Sequence, residues 1–239
     1  MTQQEQAPEG RRPAAENSFR RGFLDGVPIG LGYFSVSIAF GILCAVNGMD
    51  IRATVLISMT NLTSAGQFAG LSLIFGGGTL FETALTQLVI NLRYALMSLS
   101  LSQKLERRVG LIDRMLFSFM MTDEVFAVAS GQKGEVGKRY LFGVMIAPYC
   151  GWALGTLCGA VASGFLPPSV RSALSIAIYG MFIAIVVPVA KQSRAVLGVV
   201  ALAVALSCAM HWVPVLNTVS SGFSIILCTV LASGLGALA

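Results

Sequence analysis

Arg93 makes the heaviest demand on its surroundings. Ten uncharged residues separate it from Glu82 and ten from Lys104, about 15 Å of helix in either direction. A guanidinium at that depth in hydrocarbon costs at least ~2.5–3.5 kcal/mol and is found facing protein or a wet cavity. Its planar fork suits a carboxylate, held through two parallel hydrogen bonds. That carboxylate belongs either to a bound solute or to the chain itself. Within the chain the candidates are Asp123 and Glu124, adjacent acids inside an otherwise apolar segment. In a membrane either one can carry a proton, face a substrate ammonium, or pair with Arg93.

Further polar side chains lie at spacings that collect them. Thr83, Gln87, Asn91, Tyr94 and Ser98 follow one another at intervals of 4, 4, 3 and 4, a single stripe on a helix. Asn91 and Arg93 point roughly 200° apart around that helix, so they meet different atoms of any ligand unless the helix unwinds. The stripe equally suits hydrogen bonding between helices. The run Thr-Asn-Leu-Thr-Ser-Ala-Gly-Gln at 60–67 would turn backbone groups toward a cavity if the helix breaks at Gly66, with Gln67 beside it. Gly143, Ala147, Gly151, Gly155, Gly159 and Ser163 put a small residue at every fourth position, a pattern that lets helix backbones approach closely. Trp152 and Thr156 flank that stripe as candidate pocket residues. Pro28 and Pro188 are expected to kink their helices.

Other chemistry finds no support in the residue types. Five cysteines without a CxxC and a single histidine offer no metal or haem spacing. Gly131-Gln-Lys-Gly-Glu-Val-Gly-Lys138 has Gln132 and Arg139 where a Walker loop needs its first glycine and its Ser or Thr. The chain is therefore not expected to be an enzyme, to take a cofactor or to bind a metal.

The elements that must hold these residues are membrane helices. Of 239 residues, 55% are hydrophobic and 11% charged, less than half the charge of a soluble domain, which carries about 25%. Charge-free stretches run over 26–49, 53–81, 140–170, 172–190 and 195–239, and a spanning helix needs roughly 20 apolar residues. Alternation every second residue, the mark of a membrane barrel, is missing. The expectation is an all-α integral membrane protein, a polytopic bundle of six to eight hydrophobic segments. These segments are 24–46, 53–75, 80–101, 112–130, 140–163, 172–190, 195–210 and 215–236, set off by breakers such as Asn47-Gly48, Gly76-Gly77-Gly78 and Pro167-Pro168. Residues 1–20 read as a disordered cytoplasmic tail and not a signal peptide, and 21–239 as one transmembrane transporter domain. Eleven of the 16 basic residues fall in 1–25, 102–114 and 133–139, the distribution of cytoplasmic loops and not of a nucleic-acid surface.

Orientation supplies a further inference. Arg11, Arg12, Arg20 and Arg21 place the N-terminus inside, yet if every segment spans, the basic loop 102–114 lands outside. The conflict disappears if 53–75 and 112–130 are both broken or re-entrant. These are the two segments with the unusual polar residues, and interrupted helices are where transporters place their substrate sites. Arg21-Gly-Phe-Leu-Asp-Gly-Val-Pro-Ile and Arg139-Tyr-Leu-Phe-Gly-Val-Met-Ile share a faint rhythm that fits an internal repeat.

Four stretches in order resemble the AzlC family, the large subunit of bacterial branched-chain amino acid exporters. They are Gly26-Val-Pro-Ile-Gly30, Thr63-Ser-Ala-Gly-Gln-Phe-Ala69, Val89-Ile-Asn-Leu-Arg93 with Tyr94-Ala-Leu-Met-Ser98, and Thr122-Asp-Glu-Val-Phe126. Gly151-Trp152 and Gly155-Thr156 fit as well, so the likeness covers about 22–165. This chain has Tyr94 where the family pattern usually has His, which would shift coupling toward Asp123 and Glu124. The resemblance implies export of branched-chain amino acids, with methionine a further candidate, across the bacterial inner membrane. It also implies a small membrane partner of the AzlD type and a proton or voltage gradient as the energy source. On that reading Arg93 meets the substrate carboxylate, Asp123 or Glu124 its ammonium or a proton, and Asn91 and Gln67 orient it. A channel, a transporter of another small anionic or zwitterionic solute, and a non-transporting sensor or structural subunit are the alternatives.

Overall fold

The computed structural model describes residues 17–167, 169–170, 180, 183 and 186–238. Most of the tail 1–20, Pro168 and most of the segment 172–190 lie outside the described residues. Everything else is helix and short connection. The helices are α1 (Phe19–Val46), α2 (Ile51–Thr60), α3 (Ser64–Phe75), α4 (Leu80–Ser102), α5 (Leu111–Phe119), α6 (Asp123–Ser130), α7 (Lys138–Ala162), α8 (Arg194–Trp212) and α9 (Ser221–Leu238). Among the described residues α1, α4, α7 and α8 are long and apolar enough to cross a bilayer.

The axis of the fold is the pair α1 and α7, and glycine brings them together. A Cβ placed at Gly22, Gly26 or Gly30 would strike the backbone of Tyr140, Val144 or Ala147. From the other side, Gly151, Gly155 and Gly159 lie against the backbones of Gly30, Phe34 and Ile38. Residue numbers rise together along both helices, so the two run parallel. Arg21 and Arg139 stand at matching positions, and the faint rhythm in the sequence marks two helices that lie side by side. Small-residue contacts of this kind replace the hydrophobic drive that a lipid environment does not supply. Pro28 sits inside α1, which continues as helix from Phe19 to Val46.

The two segments with unusual polarity are broken. α2 ends at Thr60, Asn61 leaves the helical conformation, and Thr63 takes extended backbone before α3 begins. α5 ends at Phe119, and Thr122 is extended before α6 begins. Each new helix starts on a threonine whose hydroxyl accepts a backbone N–H: Thr63 from Gly66 and Thr122 from Val125. Such caps satisfy donors that have no helical partner. The first break therefore lies at 61–63, ahead of the expected Gly66. Gly66 is buried in the first turn of α3 because Gln87 packs where its Cβ would be.

Contacts at the chain's turns show which way these hairpins point. Leu105 pairs with Val136, and Asn17 donates to Glu106 at 3.1 Å while accepting from the N–H of Gly137. Lys138 reaches Asp113 at 3.6 Å. The basic loop after α4 thus shares one end of the bundle, the basic end, with the starts of α1 and α7. α4 begins at the far end, so α2 and α3 together leave the far end and return to it. Phe40 meets Phe68 edge-on on the way back. α5 and α6 likewise leave the basic end and return, Lys104 donating to the carbonyl of Ser130. The arms have 10, 12, 9 and 8 residues, about 12–18 Å each, or half of a ~30 Å hydrocarbon core. The two tips meet near the middle. α8 and α9 form an antiparallel hairpin, Gly236 lying on Val199, and it is tied to α4 where Glu82 accepts the N–H of Gly222 at 2.8 Å. That carries Arg194 toward the basic end.

Candidate functional site

The tips of the two hairpins, the middle of α4 and the facing turns of α1 and α7 converge on one polar network. Its charged part is the ion pair between Arg93 Nη1 and Asp123 Oδ2, 2.8 Å apart, with both side chains about four-tenths exposed at 44% and 41%. Arg93 Nη2 donates to the hydroxyl of Tyr94 at 2.9 Å, and the Arg93 guanidinium lies 4.8 Å from the centre of that ring. Tyr94 in turn reaches Thr63 Oγ1 at 3.4 Å. A chain of contacts therefore runs from the first residue of α6, through α4, to the cap of α3. Glu124 does not share in the pair; it accepts from the hydroxyl of Tyr33 on α1.

The uncharged part is built from amides. Gln87 Nε2 donates to the carbonyl of Gly66 at 2.7 Å, and Gln87 Oε1 accepts from Asn91 at 3.1 Å and Asn61 at 3.3 Å. Gln67 donates to the carbonyl of Asn61, a group freed by the helix break. It accepts from the indole of Trp152 at 3.1 Å. Trp152 meets the ring of Tyr33 edge-on at 5.3 Å, which closes a circuit from Gln67 back to Glu124. Asn91 Oδ1 is buried and has no hydrogen-bond partner, a condition that costs about 1–3 kcal/mol unless a ligand or water supplies a donor.

Most of the residues singled out in the sequence meet here. Arg93 and Asp123 are partners, Asn91 reaches them only through the amide group, and Gln67 and Trp152 touch each other. Thr156 is placed differently: it is fully buried and bonded to Ser58 at 2.8 Å, which ties α2 to α7 and leaves no hydroxyl for a ligand. Gly151, Gly155 and Gly159 face α1, as a packing stripe should. The sequence alone assigned no role to two further participants, Thr122 and Tyr33. Thr122 could have been found as the residue preceding an acidic first turn. Tyr33 gave a weaker sign, a lone phenol in the charge-free stretch 26–49.

Next to the amides, between α2, α3 and α4, lies a cavity of about 190 Å³. Phe40, Ile57, Leu71 and Ile74 form its walls, with Asn61, Gln67 and Gln87 along one side.

This architecture defines a polytopic helical membrane protein with two opposed half-spanning hairpins and a charged centre. The chain belongs to the AzlC family: the model of the AzlC protein family matches residues 28–166, the part that contains both hairpins and the network. It is 29% identical over 172 residues to the inner membrane protein YgaZ of Escherichia coli, covering 69% of this chain and 70% of that one. It is 32% identical over 172 residues to an uncharacterized membrane protein of Archaeoglobus fulgidus, covering 71% and 75%. An uncharacterized membrane protein of Helicobacter pylori is 24% identical over 147 residues, covering 60% and 64%. No solved structure matches.

Proposed function

We propose that this protein is a secondary-active exporter of branched-chain amino acids, valine, leucine and isoleucine with methionine as a further candidate, acting in the bacterial inner membrane together with a small membrane subunit of the AzlD type. The observation that carries the reading is the placement of Arg93 and Asp123 between two capped half-helix starts. A zwitterion needs an anion site and a cation site a few ångströms apart, and the ion pair provides both once it opens. The carboxylate would exchange Asp123 for the solute on the Arg93 fork, helped by the positive end of α3 beyond Thr63. The ammonium would then face Asp123. Because the solute replaces one partner of an existing pair, neither charge is left bare in hydrocarbon at any step.

Orientation follows from the basic residues gathered at one end, which the positive-inside rule places in the cytoplasm together with the N-terminus. At that end Tyr140 donates to Asp25 at 2.7 Å and accepts from Gln132 at 2.6 Å, contacts that would close the cytoplasmic side below the α5–α6 hairpin. Rocking that hairpin against the α1–α7 pair would open it, in the manner of transporters built around discontinuous helices. Energy would come from the proton or voltage gradient, with Glu124 and Asp123 as the carboxylates within reach of the site.

The test is the intracellular pool of valine, leucine, isoleucine and methionine in cells fed the matching dipeptides. Cells carrying this chain and its small partner should hold smaller pools and show faster efflux, and Arg93→Ala should abolish both while the protein stays in the membrane. Unchanged pools with both proteins in the membrane would refute the substrate class. Flux that ignores protonophores and does not saturate would identify a channel.

A further inference from the structure

The charged centre accounts for the two ends of a zwitterion and leaves its side chain without a place. The cavity between α2, α3 and α4 has the chemistry for it. None of its lining residues is charged. Its amides are already engaged: Gln67 with Trp152 and the Asn61 carbonyl, Gln87 with Gly66, Asn61 and Asn91. Amides committed in this way hold a wall in shape and do not seek new partners. Thr60 and Thr83 also line it, their hydroxyls turned back onto the carbonyls of Leu56 and Thr79, and the remaining side chains are hydrocarbon, with Phe40 fully buried and Leu71 nearly so.

The cavity also adjoins the network that leads to the charged centre. Gly66 and Gln67, which line it, follow Thr63 in the first turn of α3, and Thr63 is two hydrogen bonds from Arg93 by way of Tyr94. We propose that this cavity receives the apolar side chain of a neutral amino acid whose charged groups sit at Arg93 and Asp123, and that Gly70 and Ile57 set the largest side chain it admits. The proposal rests on the exporter reading given above and extends it from the charged groups to the selectivity of the same site.

Those two positions are singled out by geometry. A Cβ at Gly66 would meet Gln87 and Thr63 at 2.7 Å, so Gly66 is held by the network itself. A Cβ at Gly70 would meet within 4 Å only the terminal nitrogen of Gln87, at 3.0 Å, and no backbone. A methyl there takes up cavity space and shifts the end of the Gln87 side chain by a few tenths of an ångström, without striking backbone. Ile57 reaches the cavity from α2 across the break with an apolar side chain that supports no part of the amide network.

One methylene in an apolar pocket changes discrimination by roughly 10–200-fold. In vesicles holding the full chain with its small partner, export is measured for alanine, valine, leucine, isoleucine, methionine and phenylalanine. Gly70→Ala should lower leucine, isoleucine and methionine export at least ~10-fold relative to alanine, and Ile57→Ala should raise methionine and phenylalanine relative to valine. Ile57→Val, a smaller change, should move the same ratios in the same direction as Ile57→Ala. If all three variants scale every amino acid by one common factor, the cavity does not read the side chain and the proposal falls while the exporter reading stands. If the unaltered chain moves none of the six, the exporter reading falls and takes the proposal with it.

Discussion

Replacing Asp123 by Asn tests the charged centre most directly. The gross attraction across 2.8 Å is about 6 kcal/mol at an effective dielectric constant near 20. Desolvation offsets much of this, and both side chains are about four-tenths exposed, so a net loss of about 1–2 kcal/mol is expected. In a chain of this length that lowers the melting temperature in detergent by about 2–8 °C. Arg93→Met should cost a similar amount, because it leaves Asp123 without its cation. The double variant Arg93→Met/Asp123→Asn leaves no bare charge, so its loss should fall short of the sum of the singles by about 1–2 kcal/mol. Losses that add to within about 0.5 kcal/mol would show that the two groups do not interact, and the reasoning about an opening ion pair would fail. A charge swap, Arg93→Asp with Asp123→Arg, should recover part of the stability and none of the export. In the swap Tyr94 and Thr63 no longer have a guanidinium on α4 to orient.

Other perturbations probe the supports of the site. Thr63→Ala and Thr122→Ala each remove the hydroxyl that caps a half-helix and should cost about 0.5–2 kcal/mol, seen as lower melting temperatures; unchanged stability in both would mean that the helices do not start there. Gly155→Leu places a side chain on the backbone of Phe34 and should prevent stable assembly of α1 with α7, read as loss of monodisperse protein on size-exclusion chromatography. A normal yield would refute the close parallel packing. Glu82→Ala deletes the acceptor for the start of α9 and should expose the link 213–220 to proteolysis in detergent, while cleavage elsewhere in the chain stays unchanged.

The sequence by itself determined the class of structure. Charge-free stretches too long for anything but membrane helices follow from the cost of burying charge, a local property of each residue that composition records. It also marked the two broken segments, because polar residues in an apolar run and a basic loop on the wrong side can be reconciled only by half-spans. The candidate residues Arg93, Asp123, Gln67 and Asn91 were legible for the same reason: each is costly where it stands. The tertiary structure alone decided how they are shared. Asp123 and Glu124 are neighbours in the chain, yet the start of a helix sends them to different partners, Arg93 on α4 and Tyr33 on α1. Thr156, a plausible pocket residue by spacing, turned toward Ser58 because the glycine stripe fixed the rotation of α7 against α1. The parallel course of those two helices, and the cavity beside the amides, depend on contacts between residues more than a hundred positions apart or on separate hairpins. Periodicity within one helix records which face is small or polar; which neighbour that face meets is set by packing of the whole bundle.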